Sequence, residues 1–199
     1  MKAASFEYSR ADSLEQVLDG LSDGGGETRI IAGGQSLVAM MAMRLARPER
    51  IIDINRVAAL DGMESTDDFF VVRACTRQAK AEQSALTIRA APLLAAALPL
   101  VGHVQTRNRG TIGGSLAHGD PTAEILLAAT ALGARVTLAS AGGIRDLGIP
   151  DFSLGPMQTA ARDDECLTEV KFPVPPVDLA TGVAVDEISP RAGDYAVVG

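Results

Sequence analysis

The sequence predicts an α+β protein built from two subdomains, a small one of βαβ type followed by a larger one around a mixed sheet. The first observation is the order of elements between Thr28 and Ile54: a β-rich run, a glycine turn, a helical stretch and a second β-rich run. That order is typical of a parallel crossover, which is right-handed by default. The second observation is that strands and helices beyond this unit no longer alternate regularly. We therefore expect subdomains over residues 1–57 and 58–177, and we expect residues 178–199 to begin a further domain.

Caps and breakers mark the elements of the small subdomain. Ser13 to Gln16 have the spacing of a capping box and precede leucines at helical spacing, which predicts a helix that ends at glycines 24–26. A short strand over Thr28 to Ala32 then leads into a turn at Gly33 and Gly34. The remaining predicted elements are a helix over 36–45, broken by Pro48, and a strand over 50–54.

The larger subdomain is predicted from shorter apolar runs separated by glycine and proline. We predict strands over residues 69–74, 135–139 and 166–172, and helices over 78–84, 88–98 and 124–132. The glycine-rich segment 111–117 is predicted as a turn and a short strand. Asp120 before Pro121 has the pattern of an N-cap and a first helical residue. The prolines at 173, 175 and 176 mark a subdomain boundary, and one more strand is expected over 181–199.

Composition excludes two classes of partner. Lys and Arg number 18 against 25 Asp and Glu, a net charge of −7. Nucleic acids and anionic membranes attract basic surfaces, so neither is expected as the main partner. The five Phe, two Tyr and absent Trp leave few stacking platforms for single-stranded nucleic acid.

Apolar runs and cysteines indicate the compartment. The longest apolar run, residues 90–101, is broken by Pro92 and Pro99 and is too short to span a bilayer. The N-terminal residues have no apolar core of the kind found in signal peptides, so we expect a cytoplasmic protein. Cys75 and Cys166 lack the spacing of a zinc or iron–sulfur site, and we interpret them as buried thiols in preference to a disulfide.

Two glycine pairs are the best candidates for ligand binding. They lie in Ala32-Gly-Gly-Gln-Ser-Leu37 and in Gly110-Thr-Ile-Gly-Gly-Ser115. A glycine pair lets backbone N–H groups approach an anion closely, and hydroxyls of Ser36, Thr111 and Ser115 can donate to a phosphate or ribose. Two such loops suit the two phosphates of one dinucleotide, and they need no large positive charge.

The same loops have a simpler interpretation as turns. Neither loop is GxGxxG, so the nicotinamide Rossmann fingerprint is absent, and neither is the phosphate loop of ATPases. One glycine pair alone is usually only a turn. Two pairs, each followed closely by a hydroxyl, favour phosphate binding without deciding the question.

The amino-acid sequences of these segments resemble those of a known protein family. Ile30-Ile-Ala-Gly-Gly-Gln-Ser-Leu37, followed by Pro48 and Ile51-Ile-Asp-Ile54, is similar to the first flavin loop of the medium subunits of molybdenum hydroxylases. Residues 106–124, TRNRGTIGGSLAHGDPTAE, resemble their second loop, and Arg191-Ala-Gly-Asp-Tyr-Ala196 resembles a later stretch. The similarity is to FAD-binding subunits of the xanthine dehydrogenase and carbon-monoxide-dehydrogenase-like enzymes, which have a two-subdomain fold of the PCMH type.

The resemblance implies a set of FAD-binding residues. In the first loop, residues from Ala32 to Leu37 would surround the pyrophosphate, after the strand residues Ile30 and Ile31. Thr111, Gly114 and Ser115 would hold the other side, with His118 nearby. Glu124 matches an acidic position on the sugar or ribityl hydroxyls, although a first-turn carboxylate without a ligand is its alternative. The remaining implied contacts are Val101 and Gly102 near the ring system, Leu167 on the adenine and Tyr195 against the isoalloxazine. In full, the first-loop set is Ala32, Gly33, Gly34, Gln35, Ser36 and Leu37.

The resemblance also implies an oxidoreductase activity shared with partner subunits. Substrate would be hydroxylated at a molybdopterin centre in a large subunit, and electrons would pass through 2Fe–2S clusters of a small subunit to this FAD and on to an external acceptor. A dimer of heterotrimers is the implied assembly. No catalytic acid, base or nucleophile and no metal ligand is expected from this chain.

Two alternatives are kept open. One is a flavin-free scaffold that retains the loops only as turns, and the other is a stand-alone flavin reductase. Medium subunits of the family also continue past the Asp194-Tyr195-Ala196 stretch into a C-terminal domain, whereas this chain ends at Gly199. We therefore expect a chain that lacks most of that domain.

Overall fold

The first sheet is small and entirely parallel. In the computed structural model, which describes residues 2–24, 27–174, 182–191 and 193–199, it has the strand order β1-β3-β2. Its strands are β1 (Glu7–Arg10), β2 (Thr28–Ile31) and β3 (Arg50–Asp53). Helix α1 (Leu14–Gly24) joins β1 to β2, and helix α2 (Leu37–Ala42) joins β2 to β3. The parallel crossover predicted over residues 28–54 is confirmed, while the edge strand β1 was missed.

The second sheet has five strands in the order β4-β5-β10-β6-β7 and is antiparallel throughout, so the mixed sheet predicted for the larger subdomain is wrong. These strands are β4 (Met63–Ser65), β5 (Phe69–Arg73), β6 (Arg135–Ser140), β7 (Gly143–Gly148) and β10 (Cys166–Pro173). A separate hairpin pairs β8 (Ser153–Gly155) with β9 (Gln158–Thr159). The predicted strands at 69–74, 135–139 and 166–172 are confirmed as the three central strands of the five-stranded sheet.

Short helices cover the second sheet. They are α3 (Gln78–Glu82), α4 (Ala85–Ala90), α5 (Pro92–Ala97), α6 (Val104–Arg109), α7 (Ile112–His118), α8 (Glu124–Ala131) and α9 (Ile149–Phe152), with 3-10 turns at Ala58–Leu60 and Leu98–Leu100. The single helix predicted over 88–98 is wrong, because Ala91 leaves the helical region before Pro92. The predicted helix over 36–45 is shorter, ending at Ala42.

Two clusters of buried side chains hold the layers together. The larger lies between the five-stranded sheet and its helices and contains the fully buried Phe70 and Phe172, whose ring centroids are 6.2 Å apart. The smaller joins the two sheets, because Val17 of α1 and Ile52 of β3 pack in one cluster with Cys75, which follows β5, and Cys166 of β10. Burial of this apolar surface fixes how the carboxyl ends of β2 and β3 face helices α3, α6 and α7.

The capping box predicted at Ser13 to Gln16 is only partly formed, and several of the predicted chain breakers lie outside the described residues. Ser13 Oγ accepts a hydrogen bond from Gln16 N at 3.3 Å, as in a capping box, whereas the Gln16 side chain accepts from Asp12 N at 2.8 Å instead of Ser13 N. The proposed breakers Gly25, Gly26, Pro175 and Pro176 lie outside the described residues. Beyond residue 181, the described segments contain one bridge, between Ile188 and Val198.

Candidate functional site

The two glycine pairs meet at the junction of the two sheets. We call residues 32–37 the first glycine loop and residues 110–115 the second glycine loop. A Cβ atom on Gly33 would lie 2.3 Å from the carbonyl oxygen of Arg109 and 2.8 Å from Gly110 Cα. Only glycine permits this backbone-to-backbone approach. Residues almost 80 positions apart in the sequence therefore form one site.

The first glycine loop presents unpaired backbone donors. Among the residues that the structure describes, no acceptor pairs with the N–H groups of residues 33–37, and the Ser36 side chain caps none of them. Gly34 has a φ of 71°, a conformation that favours glycine and lets the chain curl at this point. A run of free N–H groups before a helix is a binding site for anions such as phosphate.

The second glycine loop is different, and the strand predicted over 111–117 is wrong. Helix α7 begins there, because the Thr111 hydroxyl oxygen accepts a hydrogen bond from Gly114 N at 3.1 Å as an N-cap. Ile112 N and Gly113 N donate to the carbonyl oxygens of Thr76 and Ala74, both at 3.0 Å. Apart from Thr111 N, for which the described residues show no acceptor, its backbone donors are used within the fold, so the loop offers mainly side chains to a ligand.

Every predicted site residue lines a single cavity of about 620 Å³ between the two loops. The lining includes Ile30, Ile31, Ala32, Gly33, Gly34, Gln35, Ser36, Leu37, Val101, Gly102, Thr111, Gly114, Ser115, His118, Glu124, Leu167 and Tyr195. Leu167 lies buried in the floor, whereas Tyr195 is 75% exposed at the rim. A second cavity of the same volume lies along β1 and α1, and none of the predicted residues lines it.

Glu124 is one of three buried carboxyl groups that line the cavity, together with Asp120 and Glu165. Burial raises the pKa of Glu124, and the carboxylates of Glu187 and Asp120 raise it further, against an opposing hydrogen bond from its own backbone N–H. The prediction that Asp120 caps the following helix is wrong, because α8 begins at Glu124 with Ala123 as its N-cap. Asp120 Oδ1 instead accepts from Thr122 N at 2.8 Å and from its hydroxyl at 2.7 Å, which closes a local turn.

Three polar residues beside the loops were missed by the sequence analysis. Gln78 is 5% exposed, lines the cavity, and its Oε1 has no hydrogen-bond partner in the structure. Arg77 donates to Asn55 Oδ1 at 2.6 Å and to the carbonyl oxygen of Arg109. No sequence motif marks these residues, because each acquires its role only when the two sheets come together.

Other kinds of site find less support. The described residues contain no group of three His, Cys, Asp or Glu side chains able to hold a metal ion. No helix in the described part of the chain has the length and apolar character needed to cross a membrane. Cys75 and Cys166 are free and buried, and burial raises the pKa of each thiol to about 12. Both thiols are therefore protonated and unreactive at neutral pH.

The fold and the cavity together define an α+β protein with a glycine-lined cavity where its two sheets meet. Residues 4–175 match the family described as the FAD binding domain in molybdopterin dehydrogenase. The chain belongs to this family, the FAD-binding medium subunits of molybdenum hydroxylases, which are oxidoreductases. The resemblance inferred from the two loops is confirmed.

Named relatives agree with this assignment. The chain is 42% identical over 199 residues to the 6-hydroxypseudooxynicotine dehydrogenase complex subunit alpha of Paenarthrobacter nicotinovorans, covering 100% of this chain and 67% of that protein. It is 38% identical over 197 residues to the nicotine 6-hydroxylase medium subunit of the same organism, covering 99% of this chain and 68% of the relative. The chain thus spans about two thirds of the length of these relatives.

Solved structures confirm the fold. Carbon monoxide dehydrogenase from Hydrogenophaga pseudoflava superposes with a TM-score of 0.95 at 34% identity, covering 98% of this chain and 68% of that one. Quinoline 2-oxidoreductase from Pseudomonas putida 86 gives a TM-score of 0.93 at 36% identity, over 98% and 67% of the two chains. The predicted α+β, PCMH-type fold is therefore correct.

The residues present fit FAD, the cofactor that the family binds. Its pyrophosphate accepts hydrogen bonds, and the first glycine loop offers free N–H donors. Its hydroxyls and adenine amino group donate hydrogen bonds, and the buried Gln78 Oε1 and the Glu124 carboxylate are acceptors on the cavity wall. The apolar Val101 and Leu167 suit flat aromatic rings.

Proposed function

We propose that this chain holds FAD between its two glycine loops and carries electrons from the iron–sulfur clusters of a partner subunit to an external acceptor. The observation that carries the proposal is the run of unpaired N–H groups at residues 33–37, facing a cavity in a chain of this family. Unpaired N–H groups that line a cavity just before a helix are a ready site for an anion, and the oxygens of a bound pyrophosphate would supply their missing acceptors.

We assign the cofactor's parts by the chemistry of each wall. The first glycine loop binds the pyrophosphate through its backbone, with Ile30 and Ile31 supporting it from β2. The hydroxyls of Thr111 and Ser115 donate to the pyrophosphate from the opposite side of the cavity, where Gly114 also lines the wall. His118 lies one helical turn beyond Ser115 on α7. Glu124 accepts hydrogen bonds from ribityl or ribose hydroxyls, and Leu167 packs on the adenine. The residues at the isoalloxazine end are Val101, Gly102 and Tyr195.

The role of this chain in the reaction is placement. When bound, the flavin exchanges single electrons with one partner and electron pairs with another, and this chemistry belongs to the cofactor. The first loop neutralises the phosphates through dipoles, which suits a chain of net charge −7. The buried apolar side chains of Val101 and Leu167 exclude water from the cavity wall beside the isoalloxazine and the adenine, respectively. No residue of this chain is assigned as a catalytic acid, base or metal ligand.

The relatives support an assembly with several subunits. Their names describe medium chains and complex subunits, which supports an iron–sulfur small subunit and a molybdopterin large subunit as partners, arranged as a dimer of heterotrimers. We also propose that residues 1–57 and 58–177 act as the two FAD-binding subdomains and that 178–199 begin a C-terminal domain. The free thiols Cys75 and Cys166 suit a reducing compartment, which supports a cytoplasmic location.

An absorption spectrum of the purified chain, before and after addition of FAD and desalting, tests the proposal. Flavin bands that stay with the protein, with FAD identified by mass after release, are the expected result. A Gly33→Ala variant is the matched negative control, because its added Cβ enters the backbone of the second loop. A colourless protein that takes up no FAD would contradict the proposal and favour the scaffold alternative.

A further inference from the structure

A chain of hydrogen bonds runs behind the cavity from one sheet to the other. Asn55, directly after β3, uses both hydrogens of its side-chain amide: Nδ2 donates to the carbonyl oxygen of Ala32 at 2.8 Å and to Asp53 Oδ1 at 2.7 Å. Asp53 is itself held by the Tyr8 hydroxyl, which donates to Oδ2 at 2.6 Å. The first residue of the first glycine loop is thereby tied to all three strands of the parallel sheet.

Arg77 continues this chain into the second sheet. One arm of its guanidinium donates to Asn55 Oδ1 at 2.6 Å, and the other donates to the carbonyl oxygen of Arg109, immediately before the second glycine loop. The backbone around Arg77 also grips that loop, since Gln78 N donates to the Gly110 carbonyl oxygen at 2.9 Å and Arg77 pairs with Thr111 in a β-bridge. Asn55 and Arg77 thus connect the two glycine loops through side chains alone.

Neither side chain lines the cavity. At the point where the loops touch, Gly33 faces backbone atoms of Arg109 and Gly110, and no side chain there can adjust the distance between them. A ligand that must reach free N–H groups on one loop and hydroxyls on the other is sensitive to that distance, because hydrogen bonds weaken beyond about 3.2 Å between heavy atoms.

We propose that Asn55 and Arg77 are positioning residues, a clamp that sets the spacing of the two glycine loops for the phosphates of the bound dinucleotide. This inference rests on the proposed function, because it assumes FAD in the cavity. The clamp needs the forked guanidinium: it reaches two acceptors at once, whereas a lysine ammonium at the same position is a single point of contact. It also needs the asparagine amide, which donates twice and accepts once.

The test separates the geometry of the clamp from its charge. Asn55→Ala and Arg77→Lys leave the net charge unchanged, and each breaks a link of the clamp. The dissociation constants of FAD and of ADP, which carries the same pyrophosphate, are measured for the full chain by fluorescence titration and competition. We expect each variant to bind both ligands roughly tenfold more weakly or worse. The double variant should be no weaker than the weaker single one, because the two residues act through one connection.

A control on the same helix removes general effects of charge. Lys80 on α3 pairs with Asp61 at 3.0 Å, with both side chains about half exposed and outside the cavity lining. Lys80→Ala should leave the affinity for FAD unchanged. The urea midpoint of the ligand-free protein is the second readout: a role in stability alone lowers the midpoint and leaves the dissociation constant of the folded protein unaltered.

The outcomes are distinct. Full affinity in Arg77→Lys, additive losses in the double variant, or an equal loss in Lys80→Ala would each overturn the clamp while leaving the proposed function intact. Absence of FAD binding by the unaltered chain would overturn both. Weaker binding in the clamp variants at an unchanged urea midpoint supports the inference.

Discussion

The two glycine loops have similar sequences and opposite hydrogen-bonding states. The first glycine loop, before α2, leaves the N–H groups of residues 33–37 without partners in the described part of the chain. The second, before α7, gives its N–H groups to Thr76, Ala74 and its own Thr111. A glycine pair followed by a hydroxyl therefore does not define one kind of site. We propose that the first loop meets a ligand through its backbone, whereas the second is integrated into the fold and meets the ligand mainly through its side chains.

The comparison shows that the role of a glycine depends on which atoms pack against it. Gly33 is required by the backbone of the other loop, and Gly113 is required by Ala74 beneath it. The contact of Gly33 with the second loop joins the two sides of the cavity. The contact of Gly113 with Ala74 packs helix α7 against the end of β5. Substitution of Gly113 in the second loop should consequently affect stability, and substitution of Gly33 in the first should affect binding.

The largest expected effect is loss of stability on Gly113→Ala. An added Cβ would lie 2.5 Å from Ala74 Cβ and 2.9 Å from its carbonyl oxygen, in a fully packed region. Overpacking of this kind costs about 1–3 kcal/mol in the free energy of unfolding. Urea denaturation measures the loss, with Gly142→Ala as the control, because its Cβ would meet nothing closer than 3.6 Å. Equal stabilities for the two variants would show that the second loop is not a structural element.

An intermediate effect on FAD affinity is expected for Glu124→Gln, which removes a charged acceptor from the cavity wall. Losing a charged acceptor for ligand hydroxyls should weaken FAD binding about tenfold. Stability should change in the opposite direction. The folded protein raises the pKa of this carboxyl, so it binds the proton more tightly than the unfolded chain, and ionisation destabilises the fold as pH rises above the ordinary range of a glutamate.

Glu124→Gln should therefore unfold at a higher urea concentration than the unaltered chain at neutral pH. That advantage should shrink as the pH falls through about 4 and should be lost well below it, where the carboxyl is protonated in both states. Glu49→Gln, on the exposed surface outside the cavity, is the control for both measurements. An advantage that does not depend on pH would contradict burial of the charge as its cause.

The smallest expected effect compares one hydroxyl on each loop. Ser36→Ala should change the FAD dissociation constant by less than about twofold, because the first loop binds through backbone donors. Ser115→Ala should weaken binding by about fivefold, the value of one ordinary hydrogen bond, because the second loop has only side chains to offer. Titration of both variants under identical conditions decides the matter. A reversed order would mean that the free N–H groups are not the phosphate site.

The sequence predicted the parts of this protein that depend on local signals. The βαβ unit over 28–54 followed from glycine and proline positions, and the three central strands of the second sheet followed from apolar runs. The second loop was predicted as a strand because glycines have low helix propensity, whereas the Thr111 cap and the packing of Gly113 on Ala74 override that preference. Asn55, Arg77 and Gln78 were not predicted, since their partners come from segments that meet only in the folded chain.

The backbone contact between Gly33 and Gly110 couples occupancy of the cavity to the joining of the two sheets. A ligand that touches both loops binds only when they are together, so it contributes to folding by thermodynamic linkage. At a free concentration one hundred times its dissociation constant, such a ligand adds about 2.7 kcal/mol to the free energy of unfolding. For this chain, supply of cofactor is then also a determinant of how much folded protein a cell accumulates.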